Sequence, residues 1–160
     1  MSGGVSVRAL AAGSPEVDGV ALRMRATLID VLGAERGGSM YTLDWLRGRV
    51  GEHLGRPDAA VFVAERGGEV VGQSIVRVEV DATGPFGLVS TTYVLPTARR
   101  TGVARHLLAH DEAWMRGRGL VRSATNTAAT NRPLIQLYEG AGYRIDLREG
   151  EMIRLVRSLT

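Results

Sequence analysis

Apolar residues change their spacing along the chain, and each change predicts a different element. They alternate with polar residues over 5–10, as in a half-buried strand. Over 13–33 a helix is expected, because the start Ser14-Pro15-Glu16 is typical of a helix N-terminus. A second helical pattern covers 40–54. The chain therefore opens with a strand and two helices.

The middle of the chain is rich in β-branched residues. Two apolar runs flank Arg66-Gly67-Gly68-Glu69, and a Gly-Gly pair between such runs predicts a tight hairpin. The stretch DATGPFG (81–87) is expected to be a loop, because it combines two glycines with a proline. It leads to a further strand over 88–95.

The rest of the chain is expected to alternate between helices and strands. A helix is expected to run to about Arg116 and to end at Gly117 and Gly119. The later elements are a strand over 121–126, a short helix over 131–140 and a closing hairpin of 143–147 with 151–157. The order β-α-α-β-β-β-α-β-α-β-β predicts a single α/β domain over 1–160, with an antiparallel meander followed by a strand–helix–strand crossover.

Charge and composition narrow the function. The formal net charge is +3, and all 20 basic residues are arginines, whose planar side chain suits phosphate and carboxylate. They are scattered and aromatic residues are 5%, so a small anionic ligand is favoured over nucleic acid. The absence of cysteine excludes a disulfide and a thiolate nucleophile. No membrane span or secretory signal is visible, so a cytoplasmic location is expected.

One turn carries the clearest chemical signal. In VLPTARRTGVARH (94–106), Pro96 ends a strand, and a helix begins near Gly102. A helix N-terminus offers unpaired N–H groups and a positive dipole end, and Gly102 lets the backbone approach a ligand. Arg99 and Arg100 add positive charge. The alternative, a plain turn with solvated arginines, stays open from these residues alone.

Two motifs in sequence order resemble those of a known family. Arg99-x-x-Gly102-x-Ala104 is similar to the [Q/R]-x-x-G-x-[G/A] pyrophosphate loop of the GNAT superfamily of N-acyltransferases. NRPLIQLYEGAGYRI (131–145) looks like that family's asparagine, short helix and LYE..G[FY] region. The resemblance covers about 60–157. It implies a partly open mixed sheet of about seven strands flanked by about four helices, with the fourth and fifth strands splayed apart.

The resemblance also implies acetyl-CoA as co-substrate, with no metal. The backbone of Val94 and Leu95 would bond the pantetheine arm, and Asn131 would contact the cofactor from a later loop. The pyrophosphate would be held by the turn formed by Arg99, Arg100, Thr101, Gly102, Val103 and Ala104.

Acyl transfer to an amine needs a neutral amine, a polarised carbonyl and a stabilised thiolate. In the family the tyrosine of LYE, here Tyr138, points at the cofactor sulfur. A phenol with a pKa of about 10 can hydrogen-bond a forming thiolate, and the alternative is a ring packed in the core. The Val94 N–H would polarise the carbonyl.

A general base is harder to assign. Many family members carry a carboxylate on the fourth strand where this chain has Ser90 and Thr91. Glu79 on the neighbouring strand is a candidate base, and the alternative is a solvated strand glutamate. If neither serves, the amine arrives neutral or loses its proton to ordered water.

Other candidate residues have weaker signals. His106 and His110 have metal-binding spacing without a third ligand, so a solvated helix face is favoured. Tyr41, Asp44 and Trp45 are candidates for the acceptor pocket, and the alternative is a helix that packs its aromatic residues on the sheet.

The sequence therefore predicts an N-acetyltransferase that moves an acetyl group from acetyl-CoA to a primary amine of a small molecule in a ternary complex. The alternative is a non-catalytic GNAT-fold module that binds acetyl-CoA or a protein. No nucleic-acid or membrane partner is expected. Homodimers are frequent in such folds, but no residue pattern here decides the oligomeric state.

Overall fold

The computed structural model describes residues 4–32 and 42–160. Within these ranges, seven strands and four α-helices follow one another in the order expected from the sequence. They are β1 (Ser6–Ala9), α1 (Val17–Leu32), α2 (Leu43–Gly55), β2 (Ala59–Arg66), β3 (Glu69–Asp81), β4 (Gly84–Val94), α3 (Val103–Gly117), β5 (Arg122–Ala128), α4 (Arg132–Gly140), β6 (Arg144–Glu149) and β7 (Met152–Ser158). A short 3-10 helix, Pro96–Ala98, lies between β4 and α3.

The strands form one mixed sheet in the order β1-β2-β3-β4-β5-β7-β6. β1 pairs antiparallel with β2, and β7 pairs antiparallel with both β5 and β6. β4 and β5 are parallel, and α3 connects them. The predicted fold class and the strand–helix–strand crossover are therefore confirmed.

The pairing of β4 with β5 is short. It joins Gly87–Val89 to Ser123–Thr125, whereas β5 continues to pair with β7 as far as Ala128. β5 thus has β7 along one edge throughout its length and β4 along the other edge over three residues only. This register agrees with the partly open sheet implied by the family resemblance.

Two tight turns connect β2, β3 and β4, and only the first was predicted correctly. Gly67 and Gly68 have φ of 61° and 80°, as a two-residue hairpin turn requires. The loop expected over 81–87 is wrong, because β3 runs to Asp81 and β4 begins at Gly84. Asp81 Oδ1 closes this turn by accepting hydrogen bonds from the Thr83 N–H at 2.9 Å and the Thr83 hydroxyl at 2.8 Å.

The chain divides into two compact units. The first holds the described residues of Met1–Ile75 together with Thr91–Leu107, and the second holds Val76–Ser90 together with Leu108–Thr160. One apolar cluster of the first unit comprises Leu10, Val20, Val50, Val61, Val63 and Ile75. A cluster of the second comprises Phe86, Leu88, Ala124 and Val156. The single domain expected over 1–160 stays a prediction.

Candidate functional site

The candidate site in the first unit begins where β4 ends. The Leu95 N–H donates to the Val71 carbonyl oxygen on β3 at 2.9 Å, and the Ala98 N–H donates to the Leu95 carbonyl oxygen at 2.9 Å. Because successive N–H groups of an extended chain point to opposite sides, the Val94 N–H points away from β3. Among the backbone groups proposed for the pantetheine arm, the Val94 N–H is thus better placed than that of Leu95.

The Arg99–Ala104 turn that follows has an unusual backbone. Arg100 and Gly102 have φ of 64° and 90°, and a positive φ is uncommon for any residue other than glycine. The hydroxyl of Thr101, which lies between them, donates to the Ala98 carbonyl oxygen. Alternating backbone handedness directs neighbouring N–H groups into a concave surface that can hold an anion.

Helix α3 starts directly after this turn. The His106 N–H donates to the Gly102 carbonyl oxygen at 3.1 Å, so the preceding N–H groups of α3 fall in the first turn, where intrahelical acceptors are missing. The N-terminal end of the helix dipole favours negative charge at the same place. Backbone conformation and helix dipole thus both favour an anion at the Arg99–Ala104 turn.

A glycine on β3 sets the position of this helix start. A Cβ at Gly72 would lie 2.9 Å from the Tyr93 carbonyl oxygen, 3.0 Å from Val103 Cγ1 and 3.3 Å from Leu107 Cδ1. The missing side chain lets the first turns of α3 lie directly on the strand. Gly72 was not recognised from the sequence, although a glycine inside a strand pattern often marks such a close approach.

Three basic side chains surround the turn. Arg99 Nε donates to the Val94 carbonyl oxygen at 3.0 Å, and His106 Nδ1 lies 2.8 Å from the Gly102 carbonyl oxygen. Arg66, at the end of β2, donates from Nη1 to Thr101 Oγ1 at 3.1 Å. This last contact was missed in the sequence, since 35 residues separate the two partners and Arg66 is one of many scattered arginines.

In the second unit, Tyr138 lies on α4 with 1% of its surface exposed. Its ring meets that of Tyr143 edge to face, with centroids 4.8 Å apart and an interplanar angle of 79°. The structure therefore places Tyr138 in a packed aromatic pair. Its role toward a thiolate remains a prediction.

Asn131 caps the helix that carries Tyr138. Its Oδ1 accepts from the Leu134 N–H at 3.5 Å, and its Nδ2 donates to Thr127 Oγ1 at 3.1 Å. The side chain thus fixes the start of α4 on the end of β5. Contact of Asn131 with a cofactor stays a prediction.

Comparison with known proteins identifies the family. Residues 31–143 match the Acetyltransferase (GNAT) family, which is more than half of the chain. The chain belongs to the GNAT acetyltransferase family.

Curated relatives of this GNAT chain carry acetyltransferase names. It is 33% identical over 143 residues to a mycothiol acetyltransferase of Thermobispora bispora, an alignment that covers 88% of this chain and 46% of that protein. It is 31% identical over 104 residues to an aminoglycoside N(6')-acetyltransferase type 1 of Klebsiella aerogenes, covering 62% of this chain and 66% of that protein. The chain spans less than half the length of the mycothiol acetyltransferase.

Solved structures show the same GNAT fold at low sequence identity. The PaiA N-acetyltransferase of Thermoplasma acidophilum, in complex with coenzyme A, superposes with a TM-score of 0.77 and 12% identity over 97% of this chain and 99% of that chain. The aminoglycoside N-acetyltransferase AAC(6')-Iy, in complex with CoA, gives a TM-score of 0.72 and 20% identity over 91% of each chain.

The candidate base of this GNAT chain is already ion-paired. Arg77 Nε donates to Glu79 on the same strand, and the Glu79 side chain is 40% exposed. Thr91, at one of the family's carboxylate positions, has a buried Oγ1 that lacks a hydrogen-bond partner in the described part of the chain. These contacts favour a solvated, paired Glu79, and its role as base stays a prediction.

The candidates for the acceptor pocket are only partly described. Tyr41 lies outside the described residues. Trp45 lies on α2 and is 51% exposed. The Arg49 guanidinium carbon lies over its ring, 5.8 Å from the ring centroid. Asp44 pairs with Arg47 at 2.8 Å. Trp45 is therefore not packed into the core, and its part in an acceptor pocket stays a prediction.

The described residues hold no cluster of three or more His, Cys, Asp or Glu side chains arranged for a metal ion. His106 and His110 are both exposed on α3. Among the helices of the described ranges, none has the length and apolar character needed to cross a membrane.

Proposed function

We propose that this chain moves an acetyl group from acetyl-CoA to a primary amine of a small molecule, by direct transfer in a ternary complex. The observation that carries the proposal is the backbone of the Arg99–Ala104 turn, with positive φ at Arg100 and Gly102 directly before the N-terminus of α3. The acetyltransferase names of the relatives, and the coenzyme A in two structures of the same fold, support it.

The turn fits the pyrophosphate of a coenzyme A derivative. Its N–H groups need acceptors, the helix dipole favours negative charge, and Arg99 and Arg100 lie at its start. Backbone N–H groups bind the phosphate oxygens themselves and do not contact the acyl group at the other end of the molecule. The turn therefore accounts for binding of the nucleotide end, and acyl-group selection has to come from other residues.

At the thioester end, the Val94 N–H is the proposed donor to the carbonyl oxygen. A donor aimed at the oxygen on which charge develops stabilises the tetrahedral intermediate. Tyr138 is the proposed partner of the departing thiolate. The amine forms the new C–N bond, the C–S bond breaks, and the amine gives up one proton as the thiol is formed.

Before it attacks, the protonated acceptor also has to lose a separate proton, and the chain has no obvious strand carboxylate to take it. A primary amine with a pKa of about 10.4 is mostly protonated near neutral pH. Glu79 is paired with Arg77, so we propose that the amine loses its proton to ordered water. The names of the aminoglycoside and mycothiol relatives favour a small-molecule acceptor.

The test is a calorimetric titration of the purified protein with acetyl-CoA. Gly102→Glu and Gly119→Glu make a matched pair, because both glycines have positive φ (90° and 76°) and neither position would bring a Cβ within 3.4 Å of a neighbour. Both variants carry the same backbone strain and the same added charge. We expect Gly102→Glu to abolish binding and Gly119→Glu to retain it, whereas equal effects or no wild-type binding would refute the proposal.

A non-catalytic acetyl-CoA-binding module is the second candidate. It is favoured by Ser90 and Thr91 at the positions where many GNAT proteins carry a carboxylate. A screen of amines scored by release of free thiol separates the two functions. Turnover with any amine excludes the binding module, and binding without turnover across amino acids, amino sugars and polyamines would favour it.

A further inference from the structure

Arg66 reaches the Arg99–Ala104 turn from a different part of the sheet. It is the last residue of β2, immediately before the Gly67-Gly68 turn. Its Nη1 donates to Thr101 Oγ1 at 3.1 Å, and its Nη2 donates to the Thr101 carbonyl oxygen at 3.5 Å. One guanidinium thus holds both the side chain and the backbone of a single residue.

Thr101 is the central residue of the turn. It lies between Arg100 and Gly102, the two residues with positive φ, and its hydroxyl also donates to the Ala98 carbonyl oxygen. The hydroxyl is therefore fixed both as donor and as acceptor. The left-handed region is unfavourable for a non-glycine residue, so a backbone of this kind persists only where its surroundings hold it.

The charge of Arg66 bears on the same turn. Both acceptors at Thr101 are neutral oxygens, and Arg66 Nε is buried without a hydrogen-bond partner among the described residues. The positive charge next to the turn is therefore not cancelled by these contacts. An anion held by the turn would gain from this nearby charge.

We infer that Arg66 is a positioning residue for acyl-CoA binding: it fixes Thr101, and through it the left-handed backbone that binds the pyrophosphate. The inference rests on the proposed function. Arginine suits the task better than lysine, because two nitrogens of one planar group reach two oxygens of the same residue.

The test compares a donor that has phosphates with one that has none. Acetyl-CoA and S-acetylpantetheine share the thioester arm, and only acetyl-CoA carries the pyrophosphate. For Arg66→Gln we expect KM for acetyl-CoA to rise about tenfold or more, with kcat unchanged within about twofold. With S-acetylpantetheine we expect kcat/KM within about twofold of wild type, and Arg66→Lys should restore only part of the acetyl-CoA affinity.

Two controls keep this test decisive. Arg56→Gln removes an arginine of the same unit that pairs with Asp58 at 2.8 Å, and it should leave both donors unaffected. Thr101→Val should raise KM for acetyl-CoA, and the rise in the double variant with Arg66→Gln should be smaller than the two single effects combined, because both changes remove the Arg66–Thr101 Oγ1 hydrogen bond.

The outcomes separate the inference from the proposed function. If the wild type binds acetyl-CoA and Arg66→Gln binds it equally well, the inference is wrong and the proposed function stands. If Arg66→Gln lowers activity with both donors alike, Arg66 is only structural, and the inference is again wrong. If the wild type binds no acetyl-CoA by calorimetry, the proposed function fails first.

Discussion

The hydroxyl of Thr125 donates to the carbonyl oxygen of Val89 at 2.9 Å. These two residues form the last pair of the parallel β4–β5 register, and both are buried, with 3% and 1% of their surface exposed. The contact thus reinforces the short parallel pairing at its end. Beyond it β5 continues with β7, and Asn131 anchors α4 to Thr127.

Thr125→Val tests the weight of this hydrogen bond. The two side chains have nearly the same shape, so the variant removes the hydroxyl and leaves the volume unchanged. We expect the free energy of unfolding to fall by about 1 kcal/mol, measured by urea denaturation. Thr130→Val, the same change at an exposed position, should alter it by less than about 0.5 kcal/mol. Equal effects at both positions would count against the contact.

Gly87 lies within strand β4, where its missing side chain serves packing and not a turn. A Cβ at this position would lie 2.4 Å from both Cγ and Sδ of Met115, a fully buried residue of α3. We expect Gly87→Ala to lower the free energy of unfolding by about 1–3 kcal/mol through overpacking. The double variant Gly87→Ala/Met115→Ala should lose less free energy of unfolding than the two single variants lose together. Strict additivity would contradict this packing.

Gly48 has room for a side chain, in contrast to Gly87. It lies in the middle of α2, is exposed, and a Cβ there would meet nothing within 4 Å. Alanine is favoured over glycine inside a helix by about 1 kcal/mol. Gly48→Ala should therefore raise the free energy of unfolding by up to that amount in the same urea experiment, and a loss of stability would show that the site is more crowded than the structure indicates.

Much of the fold could be predicted because local signals agree with the final structure. Gly67-Gly68 specifies a hairpin and Asn131-Arg132-Pro133 starts a helix, and each needs only its neighbours in sequence. The loop prediction for DATGPFG (81–87) was wrong because Gly87 packs against Met115, which lies 28 positions further along the chain. Glycines selected for close packing and glycines selected for turns are alike in the sequence.

In the candidate site, too, residues with a local motif could be predicted and residues that act through long-range contacts could not. Gly102 was recognised from its motif, since turn and helix are local. Arg66 and Gly72 act on that turn from β2 and β3, and these contacts exist only once the strands are placed. A single sequence offers no signal that separates Arg66 from the other 19 arginines.

Asp81 links stability to pH. Arg122 binds this carboxylate at 2.8 and 2.9 Å and Arg154 binds it at 3.1 Å, and the two guanidinium groups lie 5.2 and 5.3 Å from the Phe86 ring centroid. The hydrogen bonds from Arg122, and secondly from Thr83, lower the pKa of Asp81 well below its ordinary value of 3.8. A lowered folded-state pKa stabilises the fold above the unfolded value, and that stability is lost as the pH falls.

Asp81→Asn should therefore be less stable than the wild type at neutral pH, and the difference should shrink as the pH is lowered through and below about 4. Urea denaturation at a series of pH values measures this. Asp44→Asn, at a side chain that is 92% exposed, is the control, and the acid limb of its stability curve should match that of the wild type. A difference for Asp81→Asn that does not change with pH would contradict the linkage.

Tyr138 and Tyr143 offer a matched pair for the proposed chemistry, because their rings are in contact and either can lose only its hydroxyl. The Tyr143 hydroxyl is occupied by Glu112 Oε2 at 2.7 Å and Ser123 Oγ at 2.6 Å, and burial raises the pKa of this phenol. Tyr143→Phe should therefore lower the free energy of unfolding by about 1–3 kcal/mol and leave kcat within about twofold.

Tyr138→Phe should lower kcat if the Tyr138 hydroxyl stabilises the departing thiolate. We expect kcat with the best amine of the screen to fall about 100-fold or more, with little change in KM for acetyl-CoA, because the hydroxyl acts only as charge develops on sulfur. The two variants are compared at a temperature where both are folded, as shown by circular dichroism. Equal kcat values for them would mean that Tyr138 contributes only its ring to the core, and the thiolate would then need a different hydrogen-bond donor.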